Sequence, residues 1–397
     1  MKMKDSIDCA EQLLLKTYNR YQVVFDHGDG IKLFDTDGNE YLDFFAGIAV
    51  QGLGYNYKGV NEALKAQADK LWHISNYFYN VPVIEAGEKL LEISQMEKVF
   101  FTNSGTEAIE GAIKIAKKYG TKTGGRFEII AMEGSFHGRS LGALSVTGNE
   151  HYREDFYPLI PGVKFAKYND IESVKNLVSD KTCAIILETV QGEGGIHPAT
   201  KEFLEGIKKL TDEHDLILIL DEIQCGMGRT GKYFTWQNFG IRPDVMTVAK
   251  ALGNGVPIGA FLAAGKAVNI LEPGDHGSTY GGNPLVCAAA AKVLDIFEKD
   301  QIPENAKVVG EYLKEKLNTL SKHHGHIMEC RGCGLMLGLE FDVPVGEIIQ
   351  KVLLEEKMVL INAGSHVIRF IPPLVITKEN VDDAVARLDR VLTKLNF

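Results

Sequence analysis

The chain has 397 residues, 45% of them hydrophobic and 24% charged, with a formal net charge of -10. This acidic balance excludes nucleic acid as the main partner, because that partner selects a basic face. No apolar run approaches the ~18 residues of a membrane span. Six cysteines spread over this length make no disulfide framework. The opening MKMKDSIDCAEQLLLK has acids ahead of a short apolar patch and no small-residue cleavage site. A signal peptide is therefore not expected, and the cytoplasm is the expected compartment.

Taken in chain order, the pattern predicts a helix over 10–18 and a hairpin of strands 21–25 and 31–34, with His27-Gly28-Asp29-Gly30 as its turn. A further strand is expected over 41–45, a glycine-punctuated loop over 47–54 and an amphipathic helix over 61–72. From residue 98 strands and helices alternate. Strands are expected at 98–102, 127–132, 163–168, 183–189, 216–223, 245–249 and 259–263, with helices at 106–119, 171–178 and 201–214 between them. That alternation predicts an α/β protein with a mainly parallel seven-stranded sheet. After residue 283 it stops. Helices at 284–297, 305–320 and 379–395 and strands at 334–341 and 367–371 suggest a smaller α+β unit. The expected division is 1–55 as the N-terminal part of the small domain, 56–290 as the large domain and 291–397 as the C-terminal small domain.

Two strand ends carry the chemistry. The run Leu216–Leu220 is apolar throughout and stops at Asp221, and the run from Val245 stops at Lys250. Open α/β sheets bind ligands at the carboxyl ends of their strands. An acid and a lysine at neighbouring ends suit a site for a cationic ring nitrogen and an electrophilic carbonyl. A lysine ending a strand usually extends to solvent, but Lys250 is followed by the glycine-rich Ala-Leu-Gly-Asn-Gly-Val-Pro-Ile-Gly. Burial there would lower its pKa and free the amine as a nucleophile.

Other segments join these two. Asn103-Ser104-Gly105-Thr106 leads from a strand into a helix, where free N–H groups form an anion site and Gly105 lets a phosphate approach. Phe136 could stack on a flat ring, and Arg139 could grip a carboxylate. Glu188 to Gly195 is a glycine-rich loop between acids. Gly226 to Lys232 matches the first seven positions of a nucleotide P-loop, but Tyr233 stands where that loop needs Ser or Thr for magnesium. Cys330 and Cys333 have CxxC spacing without a second ligand pair, so no metal site is expected.

Together these motifs resemble the class-III aminotransferases of pyridoxal-phosphate fold type I. The matching segments are NSGTEA (103–108), FHGRS (136–140), QGEGG (191–195), DEIQCGMGRTG (221–231), AKALGNGVPIGA (249–260) and HGSTYGGNP (276–284). LWHISN (71–76) and NAGSHVIRFIPPL (362–374) point to the branch acting on N2-acetyl-L-ornithine. The resemblance implies that Lys250 holds pyridoxal 5′-phosphate as a Schiff base, that Asp221 pairs with the ring nitrogen, that Gln224 bonds the phenolic oxygen and that Phe136 stacks on the ring. Gly105 and Thr106 would bind the phosphate. Thr279 would reach the phosphate of a partner subunit, which implies a homodimer with its active site at the interface. Arg139 and Ser278 would bind the acetylornithine end. Arg369 would bind the α-carboxylate of 2-oxoglutarate, Glu193 would neutralise it when the amino donor is bound, and L-glutamate would leave as a product. The implied reaction belongs to arginine biosynthesis.

Two positions depart from the family pattern: Thr189 stands where proline is common after the acid, and Asn254 where glycine is frequent. The competing readings are other ω-amino donors (ornithine, succinyl-diaminopimelate, 4-aminobutyrate), a pyridoxal-phosphate aminomutase or racemase, and a non-enzymatic nucleotide-binding protein using the glycine loops.

Overall fold

The computed structural model describes residues 3–397. Its centre is a sheet of seven strands: β1 (Lys98–Thr102), β2 (Glu128–Met132), β3 (Val163–Ala166), β4 (Thr182–Glu188), β5 (Ile217–Asp221), β6 (Val245–Val248) and β7 (Gly259–Ala263). They lie in the order β1-β7-β6-β5-β4-β2-β3. Neighbours from β6 to β3 are parallel, while β7 runs against both β6 and β1. The reversal follows from chain length. Only the loop over 249–258 joins β6 to β7, too short for the crossover helix of a parallel return.

Every residue of β4 and β5 is buried, as their unbroken apolar runs require of strands covered on both faces. Alternate residues feed two cores. Ala184, Ile186, Ile217 and Ile219 pack with Ala108, Ile109 and Ala112 of the helix Gly105–Lys122. Ile185, Leu187, Leu218 and Leu220 face the other way, onto Phe203, Leu204 and Ile207 of the helix Lys201–Glu213. Gly111 lets the first helix lie against β7, since a Cβ there would stand 2.2 Å from the Phe261 ring.

The expected seven strands and their mainly parallel arrangement are all present. Outside the sheet the differences are larger. The first helix is Met3–Leu13 rather than 10–18. None of its residues is fully buried; Met3, Ser6, Ile7 and Ala10 are half-buried along one face, while Leu13, Leu14 and Leu15 are exposed, so the leucines bury nothing that would extend it. In the hairpin, His27-Gly28-Asp29 belongs to the strand Phe25–Asp29, with the His27 ring stacked on Phe34 at 4.6 Å, so the turn moves to Gly30-Ile31. The helix Val81–Ser94 went unexpected, although Asn80 caps it by accepting from the Val83 N–H at 2.9 Å and Pro82 sits in its first turn.

Beyond Asn283 come the helices Pro284–Lys299 and Ile302–Leu320, then an antiparallel sheet of Ile327–Cys333, Met336–Phe341, Val367–Phe370 and Ile361–Ala363. Helices Gly346–Glu355 and Lys378–Lys394 follow the same chain. Of these, the strands Ile327–Cys333 and Ile361–Ala363 and the helix Gly346–Glu355 are additions to the expected elements. The N-terminal strand Glu40–Asp43 pairs in parallel with Met358–Val359, so the two ends of the chain share one small sheet.

Candidate active site

The carboxyl ends of β2, β4, β5 and β6, with the N-terminus of the Gly105–Lys122 helix, enclose a cavity of about 480 Å³. Asp221 closes its floor and is 3% exposed. The sheet register sets Asp221 beside Thr247 on one side and Glu188 on the other. Its Oδ1 accepts from the Thr247 hydroxyl at 3.1 Å and the Ile223 N–H at 3.0 Å. Its Oδ2 lies 2.7 Å from His137 Nδ1. His137 is itself buried, and its Nε2 has no partner among the described residues.

Lys250 lines the same cavity. Its backbone is left-handed, with φ 48°, a conformation that costs a non-glycine residue energy and recurs at functional sites. Burial pulls its amine down from 10.5 to about 8, while the charge of Asp221 opposes the change. Glu188, also on the cavity wall, is pushed up to about 7 by burial, with Asp221 adding to the shift and His137 opposing it. It accepts from the N–H groups of Phe136 at 3.0 Å and Gly192 at 2.9 Å.

At the opposite end stands the helix opening. Ser104 takes the Glu107 N–H on its hydroxyl at 3.3 Å and the Ala108 N–H on its carbonyl at 3.2 Å. The N–H groups of Gly105 and Thr106 are left as the first-turn donors, at the positive end of the helix dipole. Thr106 Oγ1 is held at 2.8 Å from the Ser140 hydroxyl.

Two arginines, Arg139 on the cavity wall and Arg369 buried behind Gln224, stand in contrasting states. Arg139 is exposed and, among the described residues, no carboxylate lies within ion-pair distance of it. Its guanidinium sits 3.8 Å from the centroid of the Tyr152 ring and 5.4 Å from that of Phe136. Arg369 is 2% exposed and pairs with Glu193 at 3.1 Å. It also donates to Gln224 Oε1 at 3.1 Å and to the Asn362 carbonyl at 3.2 Å. Burial lowers its pKa, with Glu193 working against the shift.

Of the residues expected at the site, Gly105, Thr106, Phe136, Arg139, Asp221, Gln224 and Lys250 line the one cavity. Glu193 and Arg369 join it through Gln224. Ser278 and Thr279 lie outside the lining. The Ser278 hydroxyl accepts from Asn103 Nδ2 at 3.3 Å and the Gly281 N–H at 2.9 Å, while Thr279 is exposed. Sequence reasoning gave no role to Thr247, Tyr152, Glu188 or His137. Thr247 had a signal, as the one hydroxyl in the apolar run of β6. The Gly226–Lys232 stretch forms turns in which Arg229 is buried and donates to the Leu335 and Pro372 carbonyls, both at 2.8 Å.

A helix end with free N–H groups, a lysine with a lowered pKa and a buried carboxylate around one cavity suit an enzyme that works through a phosphorylated, ring-bearing aldehyde. Comparison with known proteins gives that class its family. The model for aminotransferase class-III matches residues 15–392, and the chain belongs to this family of pyridoxal-phosphate-dependent transaminases. It is 50% identical to the acetylornithine aminotransferase of Caldanaerobacter subterraneus over 98% of this chain and 100% of that one. Among solved structures, the ornithine aminotransferase of Toxoplasma gondii superposes with a TM-score of 0.96 at 30% identity, covering 100% of this chain and 95% of that one. The N-acetylornithine aminotransferase of Stenotrophomonas maltophilia gives 0.85 at 34% identity, over 98% and 99%.

The cofactor is pyridoxal 5′-phosphate, and the residues present fit it. Unpaired helix donors match a phosphate, the Asp221 carboxylate matches a protonated ring nitrogen, and Lys250 lines the same cavity.

Proposed function

We propose that this transaminase moves the δ-amino group of N2-acetyl-L-ornithine to 2-oxoglutarate, giving N-acetyl-L-glutamate 5-semialdehyde and L-glutamate. The observation that carries this reading is the pair of arginines around the cavity: Arg139 without a counter-ion among the described residues, and Arg369 neutralised by Glu193 at 3.1 Å. The acetylornithine aminotransferases among its relatives support the same donor.

Gly105 and Thr106 would hold the phosphate, Phe136 the ring face, Gln224 the phenolic oxygen and Asp221 the ring nitrogen. When bound, the cofactor supplies an electron sink and carries the amino group from one half-reaction to the next. Lys250 would anchor the cofactor, and its Nζ, made partly neutral by burial, would then hold and move the proton at the donor's δ-carbon. His137 and Thr247 keep Asp221 fixed through their hydrogen bonds. Arg139, with Ser278 nearby, would bind the donor's distal carboxylate.

Arg369 faces two substrates of different charge. While Glu193 covers it, an uncharged methylene chain can lie beside it; when Glu193 swings away, it would grip the α-carboxylate of 2-oxoglutarate or L-glutamate. Glu193 keeps a third of its side chain exposed, which leaves it room to move.

We further propose a homodimer with its active site at the interface. Thr279 is exposed beside a surface that includes Trp72, Tyr77, Phe78, Tyr79 and Tyr280, an aromatic patch of the kind that marks interaction sites. The division into 1–55, 56–290 and 291–397 and a cytoplasmic location belong to the same reading. Among the described residues no helix is long and apolar enough to cross a membrane.

A panel of amino donors with 2-oxoglutarate tests the function. N-acetylornithine should give the highest kcat/KM; no turnover of it, or a higher value for ornithine, succinyl-diaminopimelate or 4-aminobutyrate, would reject the assignment.

A further inference from the structure

The state of Arg139 calls for a physical cause. An exposed arginine ordinarily finds a carboxylate, and among the described residues this one has none within ion-pair distance. Its guanidinium lies 3.8 Å above the Tyr152 ring, well inside the range of a cation–π contact. Phe136 completes the seat, with its ring edge-on to Tyr152 at 6.0 Å and 5.4 Å from the guanidinium. An aromatic seat attracts the cation without neutralising it, so Arg139 stays available for a carboxylate entering the cavity.

Tyr152 is in turn held by its own turn. It ends the short 3-10 segment Glu150–Tyr152, which Asn149 caps by accepting the His151 N–H at 3.1 Å. The next residue, Arg153, is buried and lays its guanidinium on the Phe165 ring of β3 at 4.0 Å. The turn is thus pinned to the edge of the sheet by one cation–π contact and presents the ring for another. The Gly148 N–H ties the start of the segment to the Ser135 hydroxyl at 3.0 Å, one residue from Phe136.

We infer that Tyr152 is a specificity-determining positioning residue, which holds the Arg139 guanidinium unpaired at the cavity mouth and so sets the preference for donors with a distal carboxylate. The inference rests on the reading of Arg139 given above. It does not require Tyr152 to touch a substrate. Its hydroxyl forms no hydrogen bond among the described residues, and it meets Arg139 through the ring face.

The test compares two donors in the holoenzyme: N-acetylornithine, and N-acetyl-1,4-diaminobutane, which differs only in lacking the carboxylate. In Tyr152→Leu, kcat/KM for N-acetylornithine should fall roughly three- to tenfold, the scale of a cation–π contact. The loss should lie in KM, while the decarboxylated donor keeps its rate. Tyr152→Phe, which retains the ring, should restore the preference. An equal loss for both donors would reduce Tyr152 to a structural role and overturn the proposal. So would an unchanged preference in Tyr152→Leu while Arg139→Leu abolishes it. If Arg139→Leu itself leaves the preference intact, the reading of Arg139 fails and the proposal with it.

Discussion

The floor and the mouth of the cavity hold charge by opposite means. At the floor, Asp221 is buried and every contact to it is short and fixed: His137 at 2.7 Å, the Thr247 hydroxyl at 3.1 Å and the Ile223 N–H at 3.0 Å. Two of those donors come from the sheet or its immediate turn, so the strand register sets the geometry. At the mouth Arg139 rests on an aromatic seat, and behind it the buried Arg369 is shared among Glu193, Gln224 and a backbone carbonyl. Those partners belong to loops and to segments far apart in the chain, and one of them, Glu193, is partly exposed. Fixed partners suit a charge that must stay the same through both half-reactions; exchangeable partners suit one that must meet two substrates. The difference teaches that catalysis and selectivity rest on separate parts of the fold.

Changes at the floor should therefore cost rate. On the proposed roles Lys250→Ala would remove both the anchor and the proton carrier, and should lower kcat by roughly 10⁴-fold or more in a steady-state assay. Normal turnover by that variant would break the distinction outright. Asp221→Asn keeps the shape and loses the charge, and should lower kcat on the order of a hundredfold, the scale of one preorganised electrostatic contact. Changes at the mouth should move selectivity instead. Glu193→Gln leaves Arg369 without its neutralising partner, so the ratio of kcat/KM for L-glutamate over N-acetylornithine should rise on the order of tenfold. An equal change for both donors would contradict the exchange of partners.

The smallest effect concerns stability. The buried Lys250 amine titrates at about 8 in the folded chain against 10.5 for the free group. Below pH about 8 the folded protein carries the whole penalty of a buried charge. Between about 8 and 10.5 the unfolded chain binds the proton that the folded one has released, so stability rises with pH. In cofactor-free protein, Lys250→Met should thus raise unfolding stability on the order of 1–3 kcal/mol at pH 7. Denaturant melts should show that gain shrinking above pH 8.

The same contrast explains what could be read in the sequence. The floor was legible because its residues end apolar runs. Leu216–Leu220 stopping at Asp221, and the β6 run stopping at Lys250, announce both the strands and the chemistry at their ends. The seven strands followed from the same runs. The mouth was not legible in that way, since Arg139 on Tyr152 and Arg369 on Glu193 depend on how loops fold back, which no periodicity records. Tyr152 looked like any polar-loop aromatic. His137 was visible only as part of FHGRS, and its tie to Asp221 spans 84 positions. Elements on the periphery failed for another reason. The helix Val81–Ser94 carried a capping asparagine and a first-turn proline, yet the exposed aromatic stretch before it obscured the start. The Met3–Leu13 helix only half-buries one face and its leucines stay exposed, so apolar spacing misplaced its boundary.

The central claim is that one floor serves two substrates in alternation, and it is tested most directly by mixing holoenzyme with N-acetylornithine in the absence of 2-oxoglutarate. The account predicts that one equivalent of semialdehyde forms per chain, that the visible spectrum of the bound cofactor changes once, and that the reaction then stops until 2-oxoglutarate is added. Continued turnover without a keto-acid acceptor would contradict it.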